Sequence, residues 1–154
     1  MIEVSIVVVI IFLVWYFFYN KKKIKKTYYI PIEQTDLIKD AELIRLINEH
    51  RIIIGLEPLK VCELLMELSK DKSNYMSDNN TLSHDHFTNY SQDAQAVNFG
   101  EIVAHGYNTS KSTINAYLNS ETHKEVIEKA YYNWIGSTTT NNYNCIFFAQ
   151  YENN

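Results

Sequence analysis

The sequence predicts an α/β fold, an α/β/α sandwich preceded by a single N-terminal transmembrane helix. Three observations support this prediction: an apolar run opens the chain, helical spacing of apolar residues fills its middle, and two β-type segments close it. The chain has 154 residues, 46% of them hydrophobic, which is enough for one domain with a buried core. With only 4 Gly and 2 Pro, it is neither collagen-like nor a wholly disordered chain.

Residues 1–20 are predicted to be a transmembrane anchor. From residue 4 to residue 19 every side chain except Ser5 is apolar or aromatic, and about 17 to 25 apolar residues span a bilayer core. Trp15 and Tyr19 suit the membrane interface. A buried core helix is the less favoured reading. A cleaved signal peptide is also disfavoured, because no basic region precedes the run and no small-residue cleavage site follows it. The membrane, contacted through residues 4–19, is therefore a predicted partner.

Residues 21–35 are predicted to be a basic juxtamembrane tether, which joins the anchor to a domain at residues 36–154. Five lysines lie at positions 21, 22, 23, 25 and 26, and Pro31 interrupts any helical period. Lysines on this side of the span place the domain in the cytoplasm by the positive-inside rule.

The formal net charge of −4 conceals an uneven distribution of charge. Removing the five clustered lysines and Glu3 from the 14 basic and 18 acidic residues leaves nine basic and seventeen acidic side chains in residues 27–154. The predicted domain therefore has a net charge of about −8, which argues against a nucleic-acid partner.

Helical spacing predicts the first elements of the domain. Apolar residues recur at helical positions from Asp36 to Ile54, and Gly55 is a suitable residue to end that helix. A second apolar stripe predicts a helix from Lys60 to Met76. Residues 91–97 are predicted to form a short helical turn. Two further helices, at residues 110–118 and 120–131, each open with a serine that can cap the first amide groups.

The C-terminal part of the domain changes to the two-residue period of strands. Residues 133–139 and 143–151 are predicted to be two strands, with residues 140–142 as the turn between them. In the second strand Cys145 and Phe147 point one way, and Ile146 and Phe148 point the other. Both faces of the sheet are thus apolar, which predicts helices packed on each side.

Three short segments contain the candidate functional residues: residues 83–87 (SHDHF), 100–104 (GEIVA) and 117–124 (YLNSETHK). They follow a segment that fits the pattern N-x-x-R-x-x-x-G-L-x-P-L, through Asn48, Arg51, Gly55, Leu56, Pro58 and Leu59. In this order the motifs resemble the CAP superfamily of cysteine-rich secretory proteins, antigen 5 and pathogenesis-related proteins. The resemblance covers residues 36–151, ends on a strand pair that begins at Ile135, and is greatest to the compact bacterial SCP-like form.

The resemblance implies a CAP-like sandwich with a central cleft lined by His84, Glu101 and His123. In the family such residues can hold a divalent metal, so zinc or another divalent ion is the implied cofactor, with His84 and His123 as ligands and Glu101 beside them. Ser120 takes the cleft position where many members have a second glutamate. His86 is an alternative ligand to His84.

Two departures from the family pattern lie beside these residues. Ile102 stands where the family usually has Asn, and Tyr117 stands where it usually has Trp. His50 and His105 are expected to be surface residues.

The chemistry of the cleft leaves three functions open. Two imidazoles and a carboxylate suffice for a zinc ion with an open position for water, and a glutamate can also orient a histidine as general base without metal. The favoured function is a membrane-anchored CAP/SCP-like protein that binds a divalent metal or a small or lipid ligand in a surface or envelope role. The alternatives are a metal-dependent, peptidase-like hydrolase of the cell envelope, and a structural or interaction protein without a ligand. No motif places a nucleophile beside the histidines, so an enzyme is the less favoured reading and His84, Glu101 and His123 are only candidate catalytic residues.

Two further questions each have two possible answers: whether the two cysteines form a disulfide, and on which side of the membrane the domain lies. Cys62 and Cys145 either pair or remain free thiols, and two cysteines exclude a disulfide-dense scaffold. The family resemblance implies an extracytoplasmic domain, whereas the lysine cluster at residues 21–26 indicates a cytoplasmic one.

Overall fold

The computed structural model describes residues 32–152, with side chains from Leu37 onward. The predicted anchor at residues 1–20 and the lysine cluster of the predicted tether lie outside the described residues. Within residues 32–152, no helix combines the length and the apolar character that are needed to cross a bilayer.

Five helices and four strands follow one another in the described part of the chain. In order they are α1 (Ile32–Ile53), β1 (Lys60–Val61), α2 (Glu63–Asp78), α3 (Phe87–Ala94), β2 (Asn98–His105), α4 (Ser110–Asn119), α5 (Glu121–Ile127), β3 (Trp134–Thr140) and β4 (Tyr143–Gln150). The first helix begins four residues earlier than predicted. The helical turn predicted at residues 91–97 overlaps a longer helix, α3, which begins at Phe87 and ends at Ala94. Two helices are shorter than predicted: the one expected from Lys60 begins after β1, and the one expected to reach residue 131 ends at Ile127.

The four strands form one sheet in the order β1-β3-β4-β2. β4 runs antiparallel to both β3 and β2, and β1 adds two residues parallel to the start of β3. Asn141 and Asn142 connect β3 to β4 with φ angles of +48° and +64°. Two successive residues with positive φ make the tight hairpin turn that suits the twist of the strands, and Asn tolerates this conformation better than most residues.

Helices cover both faces of the sheet, as predicted. On one face Cys145 and Phe147 of β4 pack in a cluster with residues of α2 and α3. On the other face Ile146 and Phe148 pack with residues of α1, α4 and α5. The alternation along β4 therefore divides the core into two clusters, and the layers are helix, sheet and helix.

The motif that follows α1 ties its end to distant parts of the chain. Asn48 bonds both main-chain groups of Leu59, at 2.8 and 3.0 Å. The Arg51 side chain is fully buried, which lowers the pKa of its guanidinium. The guanidinium donates at 2.6–3.3 Å to four main-chain carbonyls, those of Glu57, Ile127, Lys129 and Tyr132. This part of the family pattern is therefore structural, because it joins α1 to the connection between α5 and β3.

The strand β2 was not predicted. Its sequence contains Gly100 and Glu101, two residue types that are uncommon within strands. It nevertheless pairs with β4 along its whole length, from Asn98 opposite Gln150 to His105 opposite Tyr143. A Cβ at Gly100 would lie 2.3 Å from the hydroxyl of Tyr132, so a larger residue there would require the Tyr132 ring to move. This strand sets the position of Glu101.

Candidate functional site

Glu101 is a buried carboxyl group at the edge strand of the sheet. It lies opposite Phe147 of β4, and its side chain is 1% exposed. Burial raises the pKa of Glu101, while the hydrogen bond with His84 and the charges of Lys72 and His84 oppose that rise. Its Oε2 atom is buried and has no hydrogen-bond partner among the described residues.

His84 lies in the connection between α2 and α3, and its ring covers the outer side of Glu101. The Nδ1 atom of His84 is 2.5 Å from Oε1 of Glu101, while the His84 side chain is 59% exposed. The contact with Glu101 uses Nδ1, so the other ring nitrogen, Nε2, is left for a ligand. The structure thus brings together the first two residues of the predicted cleft.

His123 is the third predicted residue, and α5 carries it. Its ring is half-buried and meets the Tyr117 ring edge-on, with 5.2 Å between ring centroids. Burial and, secondarily, the charge of His84 lower the pKa of His123. The lowered pKa favours the neutral form of His123, which is the form that binds metals.

Tyr117 stands where the family usually has tryptophan, and it is almost fully buried. Its hydroxyl donates to the side-chain oxygen of Asn144 at 2.7 Å. This hydrogen bond and the burial of Tyr117 fix the ring against which the His123 ring packs.

Ser120 occupies the N-cap position of α5, but its side chain accepts no hydrogen bond from the first amide groups of the helix. Its hydroxyl lies 3.2 Å from the hydroxyl of Thr122. The predicted cleft residue therefore adds a small polar group.

His86, the alternative ligand, has its ring against another part of the surface. It meets the Tyr75 ring edge-on at 4.8 Å and has a φ angle of +66°. With Asp71 and Asp93 it lines a separate polar cavity. The structure pairs His84 with Glu101, which favours His84 over His86.

The two other histidines differ in their surroundings. His105 is exposed, as predicted, and its ring stacks on Tyr143 with 3.9 Å between centroids. The expectation that His50 is simply a surface residue is wrong, because its half-buried ring lies 2.8 Å from the carboxylate of Glu128. His50 links α1 to the end of α5.

Cys62 and Cys145 are both free. Cys145 is fully buried among apolar side chains of the sheet, and burial raises the pKa of its thiol well above the ordinary value. It is therefore a core residue and no candidate nucleophile.

Lys72 is the residue near the site that sequence reasoning missed. It is fully buried on α2, and its ammonium donates to the main-chain carbonyl of Asp85 at 2.5 Å. The signal was present in the sequence, since Lys72 lies in helical register with the buried Leu65 and Met76. A charged residue in an apolar stripe needs a partner inside the protein.

Between residues 37 and 152, no three His, Cys, Asp or Glu side chains are arranged to bind a metal ion. The cleft offers two imidazoles, one of them backed by a carboxylate, together with the unpartnered Oε2 atom of Glu101.

Residues 44–151 match the family model described as CAP, cysteine-rich secretory protein family. The match covers well over half of the chain. The chain belongs to the CAP family. The resemblance read from the sequence is therefore confirmed.

Known CAP proteins of bacteria are similar to this chain. The "Uncharacterized protein YkwD" of Bacillus subtilis is 30% identical in an alignment of 104 residues, and the alignment covers 63% of this chain and 40% of that protein. This chain thus spans less than half the length of that relative.

Solved structures support the fold. An extracellular SCP-domain protein of Bacillus anthracis superimposes with a TM-score of 0.75 at 19% identity, over 82% of this chain and 45% of that one. A cysteine-rich secretory protein of Staphylococcus aureus superimposes with a TM-score of 0.71 at 20% identity, over 79% of this chain and 40% of that one. An outer surface protein of Borrelia burgdorferi gives 0.66 at 25% identity, over 73% of this chain and 92% of that one.

Proposed function

We propose that this CAP domain is held at the outer side of a membrane by residues 4–19, where its cleft binds a divalent metal ion. The observation that carries the proposal is the contact of 2.5 Å between the buried Glu101 carboxyl and the exposed His84 ring. A buried carboxyl that fixes one nitrogen of an exposed imidazole leaves the other nitrogen oriented for a ligand. Zinc is the first ion to test, because imidazole is one of its common ligands.

The pairing of Glu101 with His84 fits metal binding. In many metal sites a carboxylate accepts a hydrogen bond from the ring nitrogen that does not bind the metal, which fixes the ring and raises its basicity. Glu101 stands in this relation to His84. His123 supplies a second imidazole in its neutral form.

The donor set also limits the strength of binding. Two imidazoles are fewer ligands than the three of a catalytic zinc site, so water or an external ligand would complete the coordination. When bound, the metal would supply a positive charge that attracts an anionic or carbonyl group of a ligand. We therefore expect weaker binding than at a structural zinc site.

The proposed location is supported by residues 4–19 and by two relatives. The apolar run has the composition of a membrane anchor. Of the similar proteins, one from Bacillus anthracis is an extracellular protein and one from Borrelia burgdorferi is an outer surface protein. Protease treatment of right-side-out vesicles tests this part of the proposal: digestion of residues 32–152 supports it. Protection would contradict it and favour the cytoplasmic side that the lysine cluster indicates.

Calorimetric titration of zinc into the purified full chain tests the metal site. We expect binding that is lost in His84→Ala and His123→Ala, and on the order of tenfold weaker in Glu101→Gln. His105→Ala is the matched control, because His105 is an exposed histidine on the same strand as Glu101. No binding, or binding indifferent to His84 and His123, would contradict the proposal and leave a structural or interaction protein.

The same contact favours a second function, hydrolysis. A histidine oriented by a buried glutamate can accept a proton from water as general base, and the exposed Nε2 side of His84 is open to solvent. Turnover of envelope peptides that disappears in His84→Ala and Glu101→Gln, with the fold retained, would favour the hydrolase.

A further inference from the structure

A fully buried lysine lies on the inner side of the cleft. Lys72 has no solvent exposure, and its ammonium donates to the carbonyl of Asp85, the residue after His84. The same nitrogen lies 5.4 Å from the centre of the Tyr75 ring. The hydrogen bond to Asp85 holds the ammonium against the segment that carries His84, while Tyr75 belongs to the same helix as Lys72.

An ammonium buried in this way needs a compensating negative charge. Lysine is rarely buried unless it is paired, since removing the charge from water costs several kcal/mol. Hydrogen bonding to one carbonyl offsets only part of that cost. Glu101 is a buried carboxyl on the same side of the sheet, and the charge of Lys72 acts on it. Its Oε2 atom is buried and has no hydrogen-bond partner among the described residues.

We infer that Lys72 is a positioning residue of the cleft, whose buried ammonium holds the segment of His84 through the carbonyl of Asp85. This contact keeps the His84 ring against the Glu101 carboxyl. The pair of Glu101 and His84 is therefore ordered before any ligand arrives. The inference rests on the proposed function only where ligand affinity is the readout.

A charge-specific test separates this role from simple packing. The His84 ring proton on Nδ1 is followed by NMR at one fixed pH in the full chain, and zinc affinity is measured beside it. In Lys72→Met, which keeps a side chain of similar length without charge, we expect the Nδ1 proton signal to be lost. Zinc affinity is expected to fall on the order of tenfold. Retention of the signal in a folded Lys72→Met variant would overturn the inference.

Chemical rescue supplies the second variant. Lys72→Ala leaves a space that propylammonium, a cation, and 1-propanol, a neutral molecule of the same size, can both enter. We expect propylammonium alone to restore the signal. Equal rescue by 1-propanol would show that the charge has no role. Absence of zinc binding to the unmodified chain would contradict the proposed function only, because the Nδ1 proton signal needs no metal.

Discussion

Glu101 and His84 form a pair in which the carboxyl is buried and the imidazole is exposed. The Oε1 and Nδ1 atoms are 2.5 Å apart, and the two side chains are 1% and 59% exposed. The hydrogen bond therefore connects the interior of the domain to solvent. Because the acid is the buried partner, its protonation affects folding stability.

The first prediction concerns the dependence of stability on pH. The folded-state pKa of Glu101 is raised above the ordinary value of 4.5, chiefly by burial. Its contribution to stability is therefore fully present below about pH 4.5 and is lost as the pH rises through the raised pKa. Glu101→Gln cannot lose a proton, so we expect the variant to gain stability relative to the unmodified chain between pH 4 and pH 7. Urea denaturation at a series of pH values measures this difference.

The opposite trend would contradict the first prediction. If the unmodified chain gained stability over Glu101→Gln as the pH rose, the hydrogen bond of His84 and the charge of Lys72 would outweigh burial. Glu125→Gln is the control, since Glu125 is an exposed acid on α5. Its pKa is lowered by a hydrogen bond with Lys129, so its contribution has the other sign.

The second prediction concerns the contact between α2 and the sheet. A Cβ at Gly136 would lie 2.2 Å from the main-chain carbonyl carbon of Leu65, and neither main chain can move easily. We expect Gly136→Ala to lower the free energy of unfolding by about 3 kcal/mol or more. Gly106→Ala is the control: its φ is +88° but the space around it is open, so a loss of about 1–2 kcal/mol is expected. Thermal and urea denaturation distinguish the two, and similar losses would contradict the packing argument.

The fold could be predicted from the sequence where a periodic pattern repeats. The alternation of Cys145 and Phe147 with Ile146 and Phe148 predicted two covered sheet faces, and two core clusters confirm it. β2 was missed because pairing with β4, a long-range contact, stabilises a segment that contains Gly100 and Glu101. β1 was missed because a strand of two residues is too short to show an alternating pattern of apolar and polar side chains.

The candidate site could be predicted only in part. Motif order identified His84 and Glu101, and the structure joins them. The role of Lys72 depends on a contact with the main-chain carbonyl of Asp85. Because every residue has a main-chain carbonyl, the sequence does not show which one accepts this hydrogen bond. The free state of Cys62 and Cys145 also depended on the positions of two distant elements.

The third prediction concerns the two thiols. Burial raises the pKa of Cys145, so its thiol stays neutral and shielded, whereas Cys62 is half-buried at the start of α2. We expect one thiol per chain to react with DTNB in the folded protein at pH 8, and two in denaturant. Cys62→Ser is expected to remove the reaction of the folded protein, and Cys145→Ser to leave it. No reaction in denaturant without a reductant would indicate a disulfide.

The fourth prediction concerns Arg51, whose guanidinium joins the end of α1 to the connection between α5 and β3. Replacement by methionine leaves four carbonyl oxygens without their donor, and three of them belong to residues 127–132. Since hydrogen bonds to a buried charged group contribute more than neutral ones, we expect Arg51→Met to cost about 3–5 kcal/mol. Arg45→Met is the matched control on α1: Arg45 is 54% exposed and pairs only with Glu42 and Glu49 among the described contacts, so its loss should stay within about 0.5 kcal/mol. Urea denaturation of both variants measures the difference, and equal stabilities would show that the four carbonyls find water instead.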